Sequence, residues 1–323
     1  MTTSLGQTMT TSINTLRTSL FTLLCATGLS TAALADSCDT VRFADVGWTD
    51  ITSTTAVTSE LVEALGYASR TDLLSVPVTY NSLAASDIDV FLGNWMPTME
   101  GDIAKYRDEG SVETVRANLK GAKYTLAVSR AAYDGGVKTF ADLAKFSDAF
   151  NGSIYGIEPG NDGNRLIQKM IDENAFELGD FKLVESSEAG MMAQVSRFAR
   201  RDKWIAFLGW APHPMNANFD MEYLSGGDDW FGPDFGGATV YTNVRRGYVE
   251  ECANIGKLLT NLEFSLAMEN EIMGAILDDN KDPRAAARTW LQANPQVIDA
   301  WLDGVQTRDG QPGLAAVRTS LGL

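Results

Sequence analysis

Short apolar strands alternate with amphipathic segments along residues 41–278, with no low-complexity linker between them, and that alternation confines the chain to the α/β class. Residues 41–46, 72–77, 88–92, 123–129, 153–157 and 204–207 read as strands. Residues 53–66, 100–109, 139–150, 164–173, 189–200 and 262–278 read as helices, the first presenting Val57, Leu61, Val62, Ala64 and Leu65 on one face. Strands and helices in this order build mostly parallel sheets. With 323 residues, 45% of them hydrophobic, the chain exceeds what one compact α/β domain usually needs. No repeat of solenoid period occurs. Two lobes that interleave in sequence are expected.

The first 35 residues carry no acidic side chain and one basic one, Arg17. An apolar run at 20–26 follows, and small residues end in Ala33-Leu34-Ala35. This is the pattern of a secretory signal cleaved after Ala35, and it predicts a periplasmic protein. The run is too short and too broken by Thr to span a bilayer. Met9 opens a second Met-Thr-Thr-Ser and is an alternative start. Cys25 leaves with the signal, so the exported chain keeps Cys38 and Cys252. An even count in an exported protein favours one disulfide; two separate buried thiols are the alternative. A bond would tie the start of the mature chain to a late segment and leave the middle to form the second lobe.

Lys plus Arg is 26 against 42 for Asp plus Glu, a net charge of −16. Such a surface repels phosphate backbones and anionic lipid, so no nucleic-acid partner is expected. A cationic or neutral ligand fits this balance better than an anionic one. The single histidine, His213, lies between Pro212 and Pro214. One histidine argues against a His-rich metal site and against a Ser/His/Asp or Cys/His triad. No metal, cofactor or catalytic residue is called for.

Seven tryptophans are more than core filling demands. Trp204, Trp290 and Trp301 have strand or helix neighbours typical of core, and Trp230 sits ambiguously in a Gly- and Asp-rich loop. The other three repeat one device, a strand end followed by Gly and then Trp: Gly47-Trp48, Gly93-Asn94-Trp95 and Gly209-Trp210. Ligands of open α/β sheets bind beyond the carboxyl ends of strands, and Gly there lets the chain turn. Singly, each ring would read as core; together they read as one pocket. A cage of rings attracts a cation that donates no ordinary hydrogen bond, and quaternary ammonium is the usual guest. Asp50 offers either a carboxylate to that cation or an N-cap to a helix starting near Ser53. The segment Gly156-Ile157-Glu158-Pro159-Gly160-Asn161-Asp162-Gly163-Asn164 joins a strand to a helix, where backbone N–H groups and capping side chains meet a ligand's polar end or simply close a turn. It lacks the GKS/T of a phosphate loop.

The motifs Gly47-Trp48-Thr49-Asp50, Gly93-Asn94-Trp95-Met96-Pro97, Gly156-Ile157-Glu158-Pro159-Gly160-Asn161 and Gly209-Trp210-Ala211-Pro212-His213, taken in this order and spacing, resemble the periplasmic substrate-binding proteins of ABC importers for quaternary amines, the glycine betaine/choline group. The resemblance spans essentially all of the mature chain and is nearest to the choline-binding branch. It implies a type II two-lobed fold, two α/β lobes joined by two crossing strands with ligand in the cleft. Lobe I would comprise residues 36–125 and 238–323, and lobe II residues 126–237. It also implies an ammonium box of Trp48, Trp95, Trp210 and Tyr124, with Asp50 and Asn161 for a hydroxyl. Tyr124 rests on the resemblance alone, since by itself it merely opens a strand. The implied activity is non-enzymatic: a monomeric receptor that closes on choline and docks on an inner-membrane ABC permease with its ATPase. The four motifs hold no Arg or Lys for a carboxylate, and their one His belongs to the family's Trp-x-Pro-His turn. This favours choline over glycine betaine, with acetylcholine or another quaternary amine as alternatives. From a different class, an exported choline-ester hydrolase would need Asp50 and an activated Ser.

Overall fold

The computed structural model describes residues 38–323, so the expected signal segment, 1–35, lies outside the described residues. The first lobe opens with strand β1, Thr40–Asp45, helix α1, Thr49–Ala64, and strand β2, Ala68–Leu73. Helix α2, Val76–Ala84, strand β3, Val90–Met96, and helix α3, Glu100–Asp108, follow. Strand β4, Val112–Ser129, then runs for 18 residues from this lobe into the next. There the chain forms β5, Ser153–Tyr155, α4, Asp162–Asp172, β6, Lys182–Val184, α5, Glu188–Ala199, β7, Ala206–Ala211, and β8, Met221–Tyr223. Strand β9, Gly237–Arg245, returns to the first lobe, which helices α6, Ala253–Asn261, α7, Leu266–Leu277, α8, Pro283–Ala293, and α9, Gly313–Leu321, complete.

The strands form one sheet in the order β2-β1-β3-β9-β4-β7-β5-β6, with β8 on β4. Its two wings are parallel, β2-β1-β3 in one lobe and β7-β5-β6 in the other. The centre is antiparallel, contrary to the mostly parallel sheet expected. The reason is the crossing: β4 leaves the first lobe and β9 returns to it, so the two must run in opposite directions. Strand β4 pairs with β9 from Val112 to Lys123 and with β7 from Lys123 to Val128, and so belongs to both lobes.

Local chemistry moves several element boundaries away from the sequence reading. The strand expected at 72–77 lies earlier, at Ala68–Leu73, because Pro77 sits in the first turn of α2, where its fixed φ is favourable. The helix expected at 139–150 is two successive 3₁₀ turns; Thr139 and Asp142 form a capping box, and Phe146 at φ −122° interrupts the run. Helix α1 begins at Thr49 rather than near Ser53. Several of its buried hydroxyls bond back to carbonyls of the preceding turn, Ser53 to Thr49 O at 2.6 Å and Thr58 to Thr54 O at 2.8 Å, which helps a Ser/Thr-rich helix tolerate burial. Val57, Leu61, Val62 and Leu65 are fully buried, and α7, α8 and α9 pack over α1.

Cys38 and Cys252 are joined in a disulfide with a Cα–Cα distance of 5.5 Å, tying the start of the described chain to the segment just before α6.

Candidate functional site

Trp48, Asp50, Trp95, Tyr124, Asn161 and Trp210 converge on one cavity of ≈ 270 Å³ between the lobes, together with Ile157 and Asp162. All six residues singled out in the sequence therefore meet at one place. The four rings are 3–5% exposed, and Asp50 and Asn161 are 1% exposed. The lobes are shut over the cavity.

The strand–Gly–Trp device operates differently from the sequence reading. Only Gly47 turns the chain, at φ +84°, a conformation L side chains rarely adopt. Gly93 and Gly209 lie inside β3 and β7, and so do Trp95 and Trp210, near the carboxyl ends of those strands rather than past them. Gly93 permits close packing instead: a Cβ there would stand 2.7 Å from Ile51 Cγ1 of α1. Met96–Pro97 and Ala211–Pro212, immediately after these two tryptophans, are cis.

Tyr124 gives the cage its shape. Its ring meets Trp95 edge-on at 6.0 Å between centroids and Trp210 at 6.4 Å, with Phe231 behind it at 5.9 Å. Its hydroxyl donates to Asn161 Oδ1 at 2.8 Å, and Asn161 Oδ1 also accepts from Asn164 N at 3.0 Å, capping α4. With Oδ1 so occupied and Nδ2 donating to Asp162 Oδ1 at 3.2 Å, the side chain has one Nδ2 hydrogen left for a guest.

Asp50 lies in the first turn of α1 and is not its N-cap; that position belongs to Trp48, which supplies no side-chain cap. Asp50 Oδ2 accepts the Trp95 indole N–H at 3.1 Å, while Oδ1 is buried without a partner. Burial pushes the Asp50 carboxyl up to about 8; the charge of Glu188 adds to the rise and the Trp95 N–H opposes it. Glu158 accepts the Trp48 indole N–H at 2.7 Å across the cleft, and burial raises its carboxyl to about 7. Burial likewise raises Asp162 to about 6, against the pull of the nearby Thr98 hydroxyl. The site thus joins electron-rich rings to a surplus of carboxyl groups, and none of its lining side chains is cationic. Ile157, Glu158 and Asp162 were within the strand–loop–helix motif but were not singled out. Glu188, which reaches Thr49 from the other lobe, carried no sequence signal beyond opening a helix.

The tryptophans outside the cage divide differently from the sequence reading. Trp301 is buried. Trp204 is half-buried against Phe146 and Phe150, and half-buried Trp290 donates to Glu271. Trp230 lies half-buried beneath Lys169.

A two-lobed α/β body shut over one small ring-lined cavity has the architecture of a solute receptor, the class of protein that captures a molecule and hands it on. The chain belongs to the family described as the substrate-binding domain of ABC-type glycine betaine transport systems, whose model matches residues 39–293. Members of this family serve ABC importers outside the cytoplasm and are not enzymes, which removes the choline-ester hydrolase. An ABC-transporter choline-binding protein solved in complex with choline is 63% identical, with a TM-score of 0.88 over 89% of this chain and 99% of that one. An ABC-transporter choline-binding protein in an unliganded semi-closed conformation, also 63% identical, matches at 0.82 over 89% and 100%. Lactococcal OpuAC, in its closed-liganded conformation with glycine betaine, is 26% identical and matches at 0.73 over 81% and 98%.

Proposed function

We propose that the protein is the choline receptor of an ABC importer. Trp48, Trp95, Tyr124 and Trp210 hold the trimethylammonium group, Asp50 stands against its charge, and the free Asn161 Nδ2 hydrogen meets the hydroxyl. The observation that carries this reading is a cavity with four ring walls and no cationic lining group. Desolvated, each ring contributes about 0.5–2 kcal/mol to a bound quaternary ammonium, and burial of the methyl groups adds to it. The similarity to choline-binding proteins supports the same ligand.

The lobes of this receptor are residues 36–125 with 238–323, and 126–237; the exchange of partner along β4 at Lys123 supports a boundary close by. The chain is exported, cut after Ala35, and works in the periplasm as a monomer. Its closed form docks on an inner-membrane permease driven by an ATPase.

Calorimetric titration tests the ligand. A betaine carboxylate finds no base in the lining and must leave Asp50 protonated, whereas choline gains the ionised carboxylate. Choline should therefore bind at least a hundredfold tighter than glycine betaine at neutral pH. Comparable affinities would overturn the assignment.

A further inference from the structure

Glu188 lines no part of the cavity, yet it touches both sides of it. It is the first residue of α5 and 4% exposed. Its Oε2 accepts the backbone N–H of Thr49 at 2.8 Å, and its Oε1 accepts the Thr49 hydroxyl at 2.6 Å. Thr49 is the first residue of α1, whose N-cap residue, Trp48, offers no side-chain acceptor. The amides of a first helical turn have no partner within the helix, and an anion at that end is favourable. Glu188 thus caps, from the second lobe, a helix of the first.

The same Oε1 lies 3.1 Å from His213 Nε2. His213 Nδ1 accepts the Met215 N–H at 2.9 Å, which leaves the ring hydrogen on Nε2, pointing at Glu188. The His213 ring packs edge-on against Trp210 at 4.8 Å between centroids. One carboxylate therefore fixes the turn that carries Trp48 and Asp50 and the turn that braces Trp210. An ion pair that also crosses the cleft, Arg165 with Asp102, lies nearer solvent, its arginine 42% exposed.

We propose that Glu188 is a positioning residue for the ligand: it completes the cage by capping α1 across the cleft, and it does so only when the lobes are closed. This rests on the receptor reading above.

The test is choline binding by stopped-flow fluorescence and calorimetry on the mature protein, with interlobe distances from spin labels at the exposed Asp108 and Asp180. Glu188→Gln keeps the volume but turns an amide NH₂ toward donors. It should weaken choline at least tenfold, with at least tenfold faster dissociation, association within threefold of wild type and an unchanged ligand-free melting temperature. Thr49→Val should weaken binding less, and should add little in the Glu188→Gln background. Wild-type dissociation in Glu188→Gln would overturn the proposal. So would an affinity loss matched by a fall in ligand-free melting temperature, because Glu188 would then only stabilise its own lobe. A wild-type protein that ignores choline would sink the receptor reading instead. Glu188 would then be judged on the distribution of ligand-free interlobe distances, in which Glu188→Gln should deplete the closed fraction and an unchanged distribution would count against it.

Discussion

At the scale of single residues, the site combines a cage of rings with acids that burial keeps partly protonated. Asp50 faces Glu188 from α5, the Trp95 N–H from β3 and Glu269 from α7. Burial, then the charge of Asp50, holds the Glu269 carboxyl well above the usual range. A cation in the cage favours ionised Asp50, so its pKa is lower with ligand than without. Choline then prefers the deprotonated protein. Affinity should be greatest above about pH 8, where free Asp50 is already ionised, and should fall as the pH is lowered through that value. Titrations at pH 6 and 9 in buffers of different ionisation enthalpy should also show proton release at the lower pH; a flat profile without release would refute this. Trp210→Ala should weaken choline at least tenfold, since one ring's ~1.4 kcal/mol is a decade of affinity. At pH 9, where Asp50 is ionised, Asp50→Asn should narrow the gap between choline and betaine from both sides, read by the same calorimetry. The three tryptophans were legible because one device, Gly then Trp at a strand end, recurs where ligands bind; Tyr124 came from the family resemblance alone, and Asp50 read equally as a helix cap. Glu188 was not, since its partners Thr49 and His213 lie 139 and 25 residues away and only the fold brings them near.

At the scale of elements, close approach decides where side chains point. Gly163 in the first turn of α4 lies beneath the Tyr124 hydroxyl, and a Cβ there would stand 2.1 Å from it. Gly163→Ala should displace Tyr124, break its bond to Asn161 and weaken choline at least tenfold, although alanine is the better helix former. Calorimetry beside a melting curve separates this from unfolding; unchanged affinity would mean that the ring yields freely. Most strands and helices could be read from the apolar periodicity, because buried faces enforce it. The errors arose where local bonding outweighed periodicity. Pro77 converted an expected strand into a helix start, a capping box at Thr139 wound two 3₁₀ turns, and back-bonded hydroxyls with a cap from the other lobe drew α1 forward to Thr49.

At the scale of the whole molecule, the alternation of strands and helices pointed to two lobes but could not reveal the antiparallel centre. Pairing direction follows from β4 and β9 crossing in opposite senses, which no local pattern encodes. The Cys38–Cys252 disulfide spans a sequence separation of 214, and the chain-entropy model gives ~4–5 kcal/mol as a ceiling for so long a loop. Replacing both cysteines by serine should lower the melting temperature by roughly 5–15 °C. Non-reducing peptide mapping of exported protein should recover Cys38 and Cys252 in one linked peptide, and free thiols would contradict it. The lobes also close over the cage, leaving its rings 3–5% exposed. With the rings so covered, a guest's residence is a clock set by the parting of the lobes as well as by the cage. Tight capture and prompt delivery then make opposing demands on that clock. A transporter that itself prises the lobes apart would meet both, making release a mechanical act of the membrane machine.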